Sequence, residues 1–270
     1  MNSKIKNKFL KNIFSLVLLL IIIANSGYIQ AIKPKIEISI NNIINTEIQK
    51  YKKRAPDIFE IDENIIRESK NTIFAITLIQ LNKLFDKYNG FTEEFIKTKR
   101  FNNTIYNKKF TIKLVDYPNP NTLANTCTDL SGINFSRKYY TDTKNWNTYE
   151  NSVHTKGNCP CDDDKIIQSI ISHEFGHVME ILYIDKHITS TINAFYCNCF
   201  VNASDDCAEK IKEQIIEKSN KDLIFSDIGT YGKSNSYEFF AEAFSTLQCS
   251  TNPKYKYIRN AVENIISSWF

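Results

Sequence analysis

The chain is expected to fold as an α+β domain in which a small sheet is followed by helices. Three features lead there. Phe110 to Val115 reads Phe-Thr-Ile-Lys-Leu-Val, the alternation of a strand, and Gly132 to Tyr140 is a second strand candidate. Ile166, Ile167, Ile170, Ile171, Val178, Ile181 and Leu182 recur with mainly helical spacing over residues 162–185. Hydrophobic residues make up 42% of the 270 positions and include 18 Phe, enough to bury a core and to exclude a disordered chain.

The elements follow in order. Residues 32–56, with Pro34 and Pro56, read as a loosely structured lead-in. Asp57 to Tyr88 carries apolar residues at helical spacing, from Ile61 and Ile65 to Leu84 and Phe85, and ends at Asn89-Gly90; a short helix is expected at Thr92 to Lys99. Tyr117-Pro118-Asn119-Pro120 stops the first strand, and residues 141–161 read as loop. Asp162, Asp163 and Asp164 sit where a helix would begin, favourable against its dipole. Residues 187–203 are Cys-rich and irregular, 203–219 form a charged amphipathic helix, 234–247 a Phe-rich helix, and Pro253 opens a last one.

The first 31 residues stand apart. Lys4, Lys6, Lys8 and Lys11 make a basic start without acidic residues, and Ile13 to Ala24 is an almost purely apolar run of 12 residues followed by Ser26, Gly27 and Ala31. This is the pattern of a secretory signal peptide, short for a bilayer span of about 20 residues. Setting the four lysines aside takes the formal +4 to near zero, so no electrostatic case for nucleic acid or an acidic membrane survives. No second apolar run approaches a span, and no stable membrane association is expected after signal removal. Seven cysteines follow (Cys127, Cys159, Cys161, Cys197, Cys199, Cys207, Cys249), which in an exported chain read as disulfides with one thiol left over.

His173-Glu174-Phe175-Gly176-His177 lies inside the expected helix at 162–185. At about 100 degrees per residue the two histidines are about 40 degrees apart on one face, so both imidazoles can reach one Zn2+. Glu174 lies beside that face and can reach a water on the metal. Zinc catalysis needs three protein ligands and one open position. Residues 180, 183 and 196 test two known placements of the third ligand; they are Glu180, Tyr183 and Tyr196, which fit neither. Glu180 falls near the histidine face, but three ligands in a row on one straight helix cannot close a tetrahedron. It is left as an outer or surface residue. The remaining place is Tyr237-Glu238-Phe239-Phe240-Ala241-Glu242-Ala243-Phe244, where Glu238 and Glu242 share a face at i and i+4. Two like charges there need a cation or donors to receive them. Glu238 would be the metal ligand and Glu242 the acceptor for the second ring N–H of a ligating histidine. His154 and His187 are read as solvated.

These two stretches, with Tyr231-Gly232-Lys233-Ser234-Asn235-Ser236 leading into the second, resemble the catalytic domain of the anthrax lethal factor family, to which the secreted Pro-Pro endopeptidases are related. The resemblance covers about residues 105–260. It implies a zincin-like metallopeptidase fold, with a small mixed sheet packed on the active-site helix and a helical C-terminal subdomain. It also implies zinc held by His173, His177 and Glu238, an outer Glu242, and Tyr231, seven residues before the ligand, as a transition-state donor. Glu174 would be the general base. The domain expectation is a signal peptide at 1–31, a mostly helical region at 32–100 and a catalytic domain at 101–270 with a Cys-rich insertion at 187–226. The interval from His177 to Glu238 is 61 residues, longer than the family pattern, so substrate preference does not carry over. The functional expectation is a secreted, monomeric zinc endopeptidase acting on proteins or peptides. The alternative is a silent zincin-fold protein that binds a peptide or protein partner without cutting it.

Overall fold

The computed structural model describes residues 33–101, 108–156, 161–191, 197–219, 224, 227–229 and 231–269. The expected signal peptide lies outside these residues. The fold is α+β, mostly helical around one four-stranded sheet.

The chain begins with α1 (Lys33–Arg54), then β1 (Phe59–Ile61), α2 (Glu63–Glu68), α3 (Thr72–Lys87) and α4 (Asn89–Phe101). Two expectations are corrected here. The stretch read as a loose lead-in is a 22-residue helix, because Ile44, Ile48 and Tyr51 on one face are buried. The apolar run from 57 to 88 is a strand and two helices, because side-chain caps interrupt it. Asp62 accepts from the Asn64 N–H at 2.7 Å, and Asn71 from the Phe74 N–H at 3.0 Å.

The sheet adds β2 (Phe110–Val115), β3 (Ala124–Thr126) and β4 (Gly132–Ser136), in the order β1-β2-β4-β3. Phe59 is level with Phe110 and Thr111 with Gly132 in parallel ladders, while Thr126 faces Ile133 in an antiparallel one, so the sheet is mixed. Phe110, Ile112 and Leu114 bury one face of β2, as its alternation predicts. The second expected strand stops at Ser136, where the chain turns into the short helix α5 (Arg137–Tyr140). Residues 143–156, read as loop, form α6 (Thr143–Lys156), with Trp146 buried.

A 3-10 turn (Asp163–Lys165) leads into the 26-residue α7 (Ile166–Thr191). The later helices are α8 (Cys197–Lys218), which begins earlier than the sequence suggests, α9 (Ser236–Cys249) and α10 (Lys256–Ile266). Tyr231–Lys233 and Pro253–Tyr255 are 3-10 turns. No described helix is long and apolar enough to cross a membrane.

One aromatic core joins the early and late parts of the chain. Phe85 on α3 packs edge-on to Phe175 of α7 with ring centroids 4.9 Å apart, and Phe95 on α4 to Phe110 of β2 at 5.2 Å. Buried Gln80 donates to Ser172 of α7 at 2.9 Å. The mostly helical region at 32–100 thus contributes a strand of the sheet and part of the packing behind α7.

The crossing of α7 and α9 depends on small residues. A Cβ at Gly176 would lie 3.2 Å from the Ala241 Cα and 3.4 Å from the Phe244 Cβ, and the Ser169 and Ser245 hydroxyls meet at 2.7 Å. Backbone cannot yield as a flexible side chain would. Gly176→Leu is therefore expected to destabilise the protein by about 1–3 kcal/mol through overpacking. It should also weaken metal uptake by pushing α9 from α7. Chemical denaturation and metal titration check both.

Candidate metal centre

Helix geometry divides the residues of α7. Phe175, Val178, Met179 and Leu182 point into the core, while His173, Glu174, His177 and Ile181 line a cavity of about 430 Å3. The N-terminus of α9 forms the facing wall. Asn235 caps it, accepting from the Glu238 N–H at 2.9 Å, which sets Glu238 in the first helical turn, where the helix dipole favours a carboxylate. Residues 173, 177 and 238, far apart in sequence, meet here because α7 and α9 pack closely.

His173 Nε2 and His177 Nε2 are 3.1 Å apart, and Glu238 Oε2 lies 3.0 Å and 3.4 Å from them respectively. A tetrahedral ion with bonds of about 2.0–2.1 Å has ligand–ligand edges of about 3.3 Å. The three atoms thus fit around one such ion. Among the described residues this is the one group of three or more such side chains with that geometry. Glu238 Oε2 is buried without a hydrogen bond of acceptable geometry, despite both nitrogens nearby. An orphaned carboxylate oxygen aimed at two imidazoles is what a metal ligand looks like without its ion, so the residues fit the group the sequence implies.

The electrostatics agree. Burial opposes protonation of His173, but the carboxylates of Glu238 and Glu242 outweigh it and push its pKa up to about 10. Burial likewise opposes ionisation of Glu238, and the His173 and His177 rings overcome it, holding that carboxyl well below the usual range. The pocket thus demands positive charge, which a proton or a metal ion supplies at the same lone pairs.

The other expected residues gather around this triangle. Glu242 Oε1 is 3.3 Å from His173 Nδ1, placed as the second-ring partner, although that contact lacks hydrogen-bond geometry. Tyr231 is exposed, donates to Glu238 Oε1 at 3.3 Å, and sets its ring 5.6 Å from that of His173. Burial of its hydroxyl and the Glu238 charge push the Tyr231 pKa up to about 12, so the phenol keeps its proton. Glu174 is buried at the cavity wall, and its Oε2 accepts from Thr126 Oγ1 at 2.8 Å. Thr126 escaped the sequence reading: β3 is three residues long and carries no alternation to mark it. His187 is an exposed residue stacked on Tyr183, and the His154 side chain lies outside the described residues.

Glu180, one turn past His177, is neither a ligand nor a surface residue. It is fully buried, and neither carboxyl oxygen has a hydrogen-bond partner among the described residues. Burial, reinforced by the Glu238 charge, raises its pKa well above the ordinary 4.5. With the folded value raised, the stability linked to this group is full below about 4.5 and is lost as pH rises toward the folded value. Glu180→Met is expected to stabilise the metal-free protein by about 1–3 kcal/mol at pH 8, with the gain shrinking toward pH 5. Denaturation at the two pH values measures it.

Of the cysteines, Cys127, Cys207 and Cys249 are free, more than the single thiol that parity requires. Cys161 is disulfide-bonded. The side chains of Cys159, Cys197 and Cys199 lie outside the described residues, as does much of the expected 187–226 insertion.

A mixed α+β protein with a His2Glu group able to hold one cation is the class that fold and site define. No protein-family model, curated protein or solved structure matches the chain.

Proposed function

We propose that the chain is a zinc-dependent endopeptidase with a zincin-like fold, exported and acting as a monomer on protein or peptide substrates. The observation that carries this reading is the triangle of His173 Nε2, His177 Nε2 and Glu238 Oε2, with edges of 3.0–3.4 Å at the wall of an open cavity. Two imidazoles and a carboxylate suit zinc, and three protein ligands leave a position for chemistry.

When bound, zinc supplies a Lewis acid that polarises a carbonyl and acidifies a water. Glu174 accepts the proton of the attacking water and returns it to the leaving nitrogen. Tyr231, protonated and exposed at the surface, donates to the oxygen where negative charge develops. Glu242 orients the His173 ring through Nδ1. Strand β3 pairs only with β4 among the described residues, and its other edge borders the cavity, where an extended peptide can add as a further strand.

The test is cleavage of a diverse peptide library by residues 32–270, with and without chelator, beside metal analysis. One zinc per chain and cuts that chelator removes support the reading. A folded, zinc-loaded chain that cuts nothing in the library or among exported proteins would end it and leave a peptide-binding role.

A further inference from the structure

We propose that Thr126 is a positioning residue for the Glu174 carboxylate, a role that rests on the peptidase reading for its place in the reaction. Thr126 Oγ1 lies 2.8 Å from Glu174 Oε2 and 2.8 Å from the Glu174 carbonyl oxygen. One hydroxyl proton serves both acceptors. The carbonyl contact keeps the Thr126 oxygen against α7, and the one proton is shared between the carbonyl and the carboxylate beside it. The β-branched Thr side chain is stiff about χ1, and the pairing of Thr126 with Ile133 sets where it starts.

The consequence is selective. A free glutamate side chain samples many rotamers, and a base must sit within hydrogen-bond reach of the proton it takes. Tying off Oε2 holds the carboxylate in one orientation. Oε1, which has no hydrogen bond among the described residues, remains for the reacting water. Because β3 also offers the edge for a substrate strand, one strand references both the peptide and the base. A threonine that merely bound helix to sheet would need only the carbonyl contact.

The experiment compares the full mature chain with Thr126→Val, which keeps shape and branching, and Thr126→Ser, which keeps the hydroxyl. Each protein is loaded with zinc. Binding of acetohydroxamic acid, whose acidic proton needs an acceptor where Glu174 stands, is measured by calorimetry alongside kcat, KM, zinc content and melting temperature. Thr126→Val is expected to bind the probe about tenfold more weakly and to lose roughly tenfold to a hundredfold in kcat, the range for a hydrogen bond to a charged group. KM and zinc content should stay within error, the melting temperature should fall by no more than the several degrees that one lost hydrogen bond costs, and Thr126→Ser should recover most of the losses in probe binding and kcat. The proposal is overturned if Thr126→Val binds the probe and turns over like the parent, or if its losses follow a drop in zinc content or appear only where the variant is partly unfolded. A parent that holds zinc and the probe but cuts no peptide would sink the peptidase reading, while the probe comparison would still decide what Thr126 does for Glu174.

Discussion

Glu174→Gln is expected to bind one zinc per chain with unchanged affinity while peptide turnover falls by roughly 10²–10⁴, the contribution of a positioned general base. The separation follows from geometry. Glu174 is outside the His173–His177–Glu238 triangle, so its loss leaves the ligand atoms in place. Gln has nearly the same shape and still offers an oxygen to Thr126, so the hydrogen bond at 2.8 Å can persist. What disappears is the ability to hold a proton between the attacking water and the leaving nitrogen. Single-turnover kinetics beside metal analysis read the two properties separately. A variant that kept full turnover would remove Glu174 from the chemistry, and one that lost zinc would mean that it acts through the metal instead.

Glu238→Ala should have the complementary outcome: zinc is lost at stoichiometric protein and activity with it. The variant removes the one carboxylate of the triangle, leaving two imidazoles whose nitrogens are 3.1 Å apart with no anion to offset a cation between them. Because a ligand that binds only the folded chain stabilises it, a parent with zinc at a thousand times its dissociation constant gains about 4 kcal/mol. That corresponds to roughly 10 °C in melting temperature for a chain of this size, a gain that chelator should abolish in the parent. Glu238→Ala should melt at one temperature with or without chelator. A variant that still responded to zinc would place the metal elsewhere.

Much of the site was legible in the chain because its signals are local. His173 and His177 are one helical turn apart, Glu174 is adjacent, and Glu238 and Glu242 repeat the same spacing on a second helix. The periodicity that predicted both helices therefore also predicted which side chains share a face, and the structure places His173, Glu174, His177 and Glu238, with Tyr231, at one cavity and Glu242 behind the His173 ring. Strand β2 was legible for the same reason, since its buried residues alternate.

Other features have no local signature. Helix α1 is held by burial of Ile44, Ile48 and Tyr51 in a sequence otherwise rich in polar residues, and β1 is three residues whose identity as strand comes from pairing with β2. Thr126 lies 48 residues before the carboxylate it meets, and Glu180 reads like any helix glutamate although the packed fold buries it fully. The reason is physical. Spacing along a helix or strand follows from backbone geometry, so a short window of residues is enough to derive it. Distances between ligand atoms on separate helices, and the burial of one carboxyl, follow from how whole elements pack. Gly176 shows the join: its position in the motif was plain, but the close approach of Ala241 that favours a glycine there exists only once α7 and α9 cross.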